Sequence, residues 1–143
     1  MSIPILLILL YLIYCTYTDI QKKEIPYYPS IFIYIFVLLL CMFIHYKNQN
    51  LNSHFIFSLI PGIILFGLSY ITDESIGYGD SILLGLCCIT TTPFNGLFII
   101  AASFFYSTIF SLILLARGKS CKATIAFVPF IFAGYLTFLL TKI

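Results

Sequence analysis

The sequence predicts an all-α, polytopic membrane protein of about six transmembrane helices, the fourth of them short. Two observations carry this. Of the 143 residues, 62% are hydrophobic, 18% aromatic and only 8% charged, whereas a soluble domain carries about a quarter charged residues to solvate its surface. The apolar residues also fall into six stretches separated by polar segments. A chain surrounded by lipid must satisfy its backbone polar groups within each span, which leaves helices as the spans. At this length one membrane-embedded domain, residues 1–143, is expected.

The first three stretches cover residues 3–18, 28–44 and 55–71. Each approaches the roughly 20 apolar residues needed to cross a hydrocarbon core of about 30 Å. The first lacks a basic leader region and a small-residue cleavage site, so it reads as a retained anchor rather than a removed signal. The fourth, residues 80–92, has 13 residues and rises only about 20 Å as a helix. It either borrows from "TTPF", dips in and returns, or sits shielded by its neighbours, and the last account is preferred. The fifth and sixth cover residues 94–116 and 123–140.

The connectors are "DIQKKEIP", "HYKNQNLNSH", "TDESIGYG", "TTPFNG" and "RGKSCK". With the N-terminus outside, Lys22, Lys23, Arg117, Lys119 and Lys122 fall on the inner side, and Lys47 and Lys142 on the outer. Basic residues concentrate on the cytoplasmic side of membrane proteins, so the expected topology is N-out, C-out. Tyr17, Tyr27, Tyr28 and Tyr46 fall near the expected interfaces, as aromatic belts do.

Other chemistries find little support. The net charge of +2 and the absence of a basic run argue against nucleic acid. Cys15, Cys41, Cys87, Cys88 and Cys121 form no C-x-x-C pair, and four of them lie in apolar stretches. They read as small buried hydrophobes, and no metal or other cofactor is expected. His45 and His54 flank a polar loop and read as interfacial residues.

The acidic residues are few: Asp19, Glu24, Asp73, Glu74 and Asp80. Asp19 ends the first stretch and Asp80 begins the fourth. Between them the chain goes out through stretch two and back through stretch three, so both carboxylates belong to the same, cytoplasmic face. An ionisable group at the membrane is expensive and points to function. The competing account is helix capping. Asp80 is well placed as an N-cap of the fourth helix, whereas Asp19 at a helix C-terminus has the wrong sign for the dipole. Gly77 and Gly79 give the backbone before Asp80 conformational freedom and remove side-chain bulk beside the carboxylate. Two apposed aspartates in a site of low dielectric share one proton. The ionised member then takes a proton from an attacking water while the protonated member polarises a carbonyl.

Three motifs resemble the type IV prepilin peptidases, membrane aspartyl proteases also called leader peptidases. "DIQKKEIPYYPS" is similar to the family's aspartate followed six and seven residues on by Ile-Pro, here Ile25 and Pro26. "GYGDSILL" is similar to its G-x-G-D motif. "IAFVPFIFAGY" resembles its late Pro-Phe-Gly-Pro-Phe segment ending in glycine. The resemblance implies Asp19 and Asp80 as the catalytic pair, with Gly77, Gly79 and Pro26 shaping the site. It implies prepilin or pseudopilin substrates with a short basic leader, cut at the cytoplasmic face of a prokaryotic cell membrane. Pili, protein secretion, DNA uptake or conjugation would be served.

The departures are Ile82, where a lysine two residues past the aspartate is common, and Ala126 and Val128, where proline and glycine are usual. The chain opens directly on its first stretch, without the paired C-x-x-C extension linked to N-methylation, so a compact, peptidase-only member is expected. Two other readings stand beside this one. The first is a G-x-G-D intramembrane protease of presenilin or signal-peptide-peptidase type, which is larger and carries its first aspartate mid-helix. The second is a non-enzymatic assembly or transport protein. Glu24, Asp73 and Glu74, on the same face, are candidates for attracting a basic leader. Charge reversal at Asp73 and Glu74 should then raise the substrate concentration needed for half-maximal cleavage. Unchanged cleavage kinetics would dispose of the idea.

Overall fold

A computed structural model describes residues 3–22, 27–47, 53–71, 77–118 and 126–141. They form six helices: α1 (Ile3–Lys22), α2 (Tyr27–Lys47), α3 (Ser53–Ile71), α4 (Tyr78–Thr90), α5 (Pro93–Ala116) and α6 (Val128–Thr141). No strand occurs among the described residues. Two helices, α1 and α5, are long and apolar enough to cross a membrane; the apolar stretches of the other four are shorter.

The centre of the bundle is α4. Every residue from Ser81 to Ile89 is buried, and the helix touches each of the other five. A helix apolar on all sides belongs in an interior, and α4 is one. It has the 13 residues expected of the fourth element, begun two residues earlier and ended at Thr90. It borrows nothing from "TTPF". Instead Thr90 Oγ1 donates to the carbonyls of Leu86 and Cys87, and Thr91 Oγ1 donates to Cys87 at 2.8 Å. These bonds satisfy carbonyls that the helix end would otherwise orphan. Pro93 then opens α5 in its first turn, where a missing N–H costs nothing.

Glycines set the close crossings around α4. A first side-chain carbon at Gly62 would lie 3.0 Å from Gly85 Cα, and one at Gly96 would lie 2.8 Å from Cys88 Sγ. Small residues let helix backbones approach and exchange dispersion contacts without a hydrophobic driving force. Polar ties supplement them. Ser81 Oγ donates to Leu65 O at 3.4 Å and Ser58 Oγ to Thr91 O at 3.3 Å, linking α3 to α4 and its end. Tyr11 and Ser30 join α1 to α2 through a 2.7 Å hydroxyl pair.

Helices α1 and α6 run antiparallel, linked at one end by Asp19 and Val128 and further along by Tyr135 OH donating to Ile5 O. The buried face of α1 carries Ile8, Tyr11, Leu12, Cys15 and Asp19, the spacing of one helical stripe. Cys15, Cys41, Cys87 and Cys88 are buried, as expected of small hydrophobes.

Several boundaries differ from the sequence expectation. α1 runs on to Lys22, because Gln and Lys are good helix formers, so Asp19 lies within its last turn rather than at a loop edge. α6 begins at Val128, not near residue 123, and residues 126 and 127 are outside any helix. Pro129 is the reason: it suits only a helix's first turn, and the Phe127 carbonyl takes the first bonds from Phe130 and Ile131. α2 and α3 each extend past the expected limits at their polar ends.

The α5–α6 crossing gives a stability test. A first side-chain carbon at Gly134 would meet Ser103 Oγ at 2.6 Å and the Ile99 carbonyl at 3.0 Å, whereas one at Gly67 meets nothing within 4 Å. Gly134→Val is expected to destabilise by about 1–3 kcal/mol through overpacking. Gly67→Ala should be neutral or slightly stabilising. Thermal unfolding of the two variants in detergent checks the contrast.

Candidate active site

The two aspartates come from helix ends that the fold brings to one end of the bundle. Asp19 projects from the last turn of α1 and is 6% exposed. Its Oδ2 accepts the backbone N–H of Val128 at 3.0 Å. That amide belongs to the first turn of α6 and has no partner within its own helix. Asp19 therefore caps a helix, but α6 rather than its own. The sign objection raised by the α1 dipole is met by the positive end of a different helix.

Asp80 stands in the first turn of α4 as its third residue; Gly77 holds the N-cap position, and no side chain caps the helix. The competing account, in which Asp80 caps α4, is thus not met. An N-cap bond needs the side chain to precede the first turn, and Asp80 already lies within it. Its Oδ1 is buried without a hydrogen-bond partner among the described residues. Asp19 lies near enough to act electrostatically on Asp80. It acts similarly on Cys15, one turn earlier on its own helix.

Gly77 has φ −57° and ψ 137°, a conformation open to most residues. Conformational freedom is therefore not what it supplies. The useful property is space: a first side-chain carbon there would lie 3.2 Å from Asp80 Oδ2, and among the described residues only Asp80 atoms fall within 4 Å of it. Gly79 sits in the first turn of α4. Glu24, Pro26, Asp73 and Glu74 lie outside the described residues.

Beside Asp80, the next two residues open into an apolar cavity of about 310 Å³ between α2, α3 and α4. Ser81 and Ile82 line it together with Tyr34, Phe66, Gly62 and Gly85. Ile82 is 9% exposed, so the position where a lysine is common belongs here to an apolar wall. The partner that sequence reasoning missed is the Val128 amide. Its signal was Val-Pro at a helix start, since proline in a first turn marks where the free amides begin.

The site thus holds a buried carboxylate, Asp19, and a half-buried one, Asp80, whose Oδ1 is enclosed, at the ends of helices far apart in sequence. Residues 6–114 match the model of the type IV leader peptidase family, and the chain belongs to that family. It is accordingly a protease of the leader-peptidase kind in general terms. The matched residues take in nearly all of α1 to α5 and stop short of α6. No curated protein and no solved structure matches the chain.

Gly77 offers a test of the site's geometry. Gly77→Val should press on the Asp80 carboxylate alone. A misplacement of about 1 Å at reacting groups costs on the order of 100-fold in rate. The variant is expected to lose peptidase activity while unfolding at nearly the wild-type temperature.

Proposed function

We propose that the chain is a membrane aspartyl endopeptidase that removes the basic leader from prepilin-like proteins at the cytoplasmic face, with Asp19 and Asp80 as its catalytic pair. The observation that carries this is the pairing of Asp19, buried at the end of α1, with Asp80 at the start of α4, whose Oδ1 is enclosed and on which Asp19 acts electrostatically, in a member of a peptidase family. Counting crossings had assigned the two residues to one face without reference to any family.

The membrane setting is supported by the outer surface. Of the 24 residues of α5, the buried ones are Gly96, Ile99 and Ser103. Phe94, Phe105, Leu112 and Ile113 are exposed, as are Leu10 and Ile13 on α1 and Phe32 and Phe43 on α2. An apolar exterior of this extent needs an apolar surrounding. Lipid serves for a helix bundle, and α1 and α5 are long enough to cross it.

The chemistry follows from charge. In a water-poor site two neighbouring carboxylates do not both ionise, so they hold one proton between them. The ionised member removes a proton from a water as the water oxygen bonds to the scissile carbonyl carbon. The protonated member donates a hydrogen bond to the carbonyl oxygen, which carries the developing charge. When the C–N bond breaks, the proton taken from the water passes to the leaving amine. A leader ending in a carboxylate and a chain beginning with an amine result. The cavity beside Ser81 and Ile82 suits an apolar segment following the cut, and Glu24, Asp73 and Glu74 suit a basic leader before it.

Co-expression with a prepilin-type substrate tests the reading. Asn keeps the size of Asp but cannot ionise. Asp19→Asn and Asp80→Asn are each expected to lose processing by roughly 1,000-fold or more, the scale of removing a general acid or base. Processing at the wild-type rate in either variant overturns the dyad and favours a structural role for the pair. The wild-type rate should also vary across the acid pH range; a flat profile would count against a shared proton.

A further inference from the structure

We infer that the N-terminus of α6, through the Val128 N–H, makes the two carboxylates unequal: Asp19 is the ionised partner that takes the water proton, and Asp80 is the protonated partner that donates to the scissile carbonyl. The inference rests on the aspartyl reading above and deepens it, because a symmetric pair would allow either assignment.

The argument starts from the donors each carboxylate has. Asp19 Oδ2 holds a backbone N–H at 3.0 Å, and that amide is one of the unpaired donors at the positive end of a 14-residue helix. A hydrogen bond from such a donor strengthens when the acceptor carries a charge. Asp19 needs this help, since the last turn of α1 presents the negative end of its own dipole. Among the described residues, the titratable groups on which Asp19 acts electrostatically are Cys15 on α1 and Asp80 on α4.

Asp80 also occupies a first turn, yet its situation is the reverse. Its Oδ1 is buried and receives no hydrogen bond among the described residues. The Ser81 amide, its nearest neighbour along the chain, is spent on Gly77 O at 3.1 Å. A charged oxygen left there would be desolvated without compensation. A protonated carboxyl in that place has a hydrogen to give and lacks only an acceptor. The substrate carbonyl is that acceptor. Gly77, whose missing side chain leaves space against Asp80 Oδ2, lets a peptide come close on this side. Water is activated on the α6 side by Asp19, whose Oδ2 is already held by Val128.

Val128→Pro isolates the amide. Proline suits a helix's first position and replaces the N–H with a ring carbon, whereas Val128→Ala keeps the N–H and trims the side chain. Val128→Pro is expected to lower kcat by about 10- to 100-fold, the worth of a hydrogen bond to a charged group, with KM for a prepilin-type substrate unchanged. Val128→Ala should retain most of the wild-type kcat. Wild-type kcat in Val128→Pro, with Asp19→Asn and Asp80→Asn both inactive, overturns the inference and leaves the dyad standing. Processing by Asp19→Asn at the wild-type rate overturns both. A second measurement decides the matter if Val128→Pro does not fold. Infrared spectra of aspartate-labelled protein in detergent should show a protonated carboxyl band at neutral pH. Its loss in Asp80→Asn supports the assignment; its persistence there overturns it.

Discussion

Everything at the site depends on one constraint, that α4 has no outward face. A helix buried from Ser81 to Ile89 must be approached by neighbours from all sides. Glycine meets that demand at Gly62 and Gly96, where a single added carbon would press on the Gly85 backbone or the Cys88 sulfur, and at Gly85, where it would crowd the Tyr34 ring. The same burial carries Asp80 inward at the helix's leading end and cuts its Oδ1 off from solvent. A shorter helix is suited to this position, because its ends can stop within the bundle rather than reach its outer limits.

The second consequence is that the site is assembled from helix termini. The end of α1, the start of α4 and the start of α6 converge, and termini are where backbone donors and acceptors lack partners. Asp19 answers the first turn of α6 through Val128. Thr90 and Thr91 answer the last turn of α4 at its other end. Unpaired backbone groups thus concentrate at the helix ends, while the core between them is largely Cys, Leu, Ile, Val and aromatic packing with polar ties such as Tyr11–Ser30. A carboxylate pair placed mid-bundle would find no comparable donors. The Ile82 position belongs to this division as well. It faces an apolar cavity with Tyr34 and Phe66, so its side chain serves packing beside the site rather than charge within it.

The element count, the helical class and the short fourth element were all legible in the chain, whereas the separation of Asp19 and Asp80 was not. Each of the legible features rests on a signal that is local or additive: apolar runs and the length of a run. Boundaries were less legible. α1 continues past its apolar run because Gln21 and Lys22 favour helix whatever they face, and hydrophobicity cannot report that. α6 starts late because Pro129 dictates its first turn, a rule that the apolar run from residue 123 concealed. The cap at Gly77 was missed for a related reason. Glycine and aspartate both suit the position, and only the backbone shows which of them occupies it.

By itself, the sequence determined that this chain is a helical bundle with an apolar exterior, and counting crossings made a shared face for the two aspartates the expectation. Those properties follow from composition and from counting, which do not depend on how helices rotate. Only the tertiary structure decided what each aspartate meets. Rotation of α1 and the late start of α6 set Asp19 on the Val128 amide, 109 residues away in the chain. Burial of α4 left Asp80 without a donor at Oδ1. Hydrogen bonds between distant helices depend on axial register and facing angle to within an ångström or so. No local pattern in the sequence encodes those quantities, because they emerge from the packing of all six helices together.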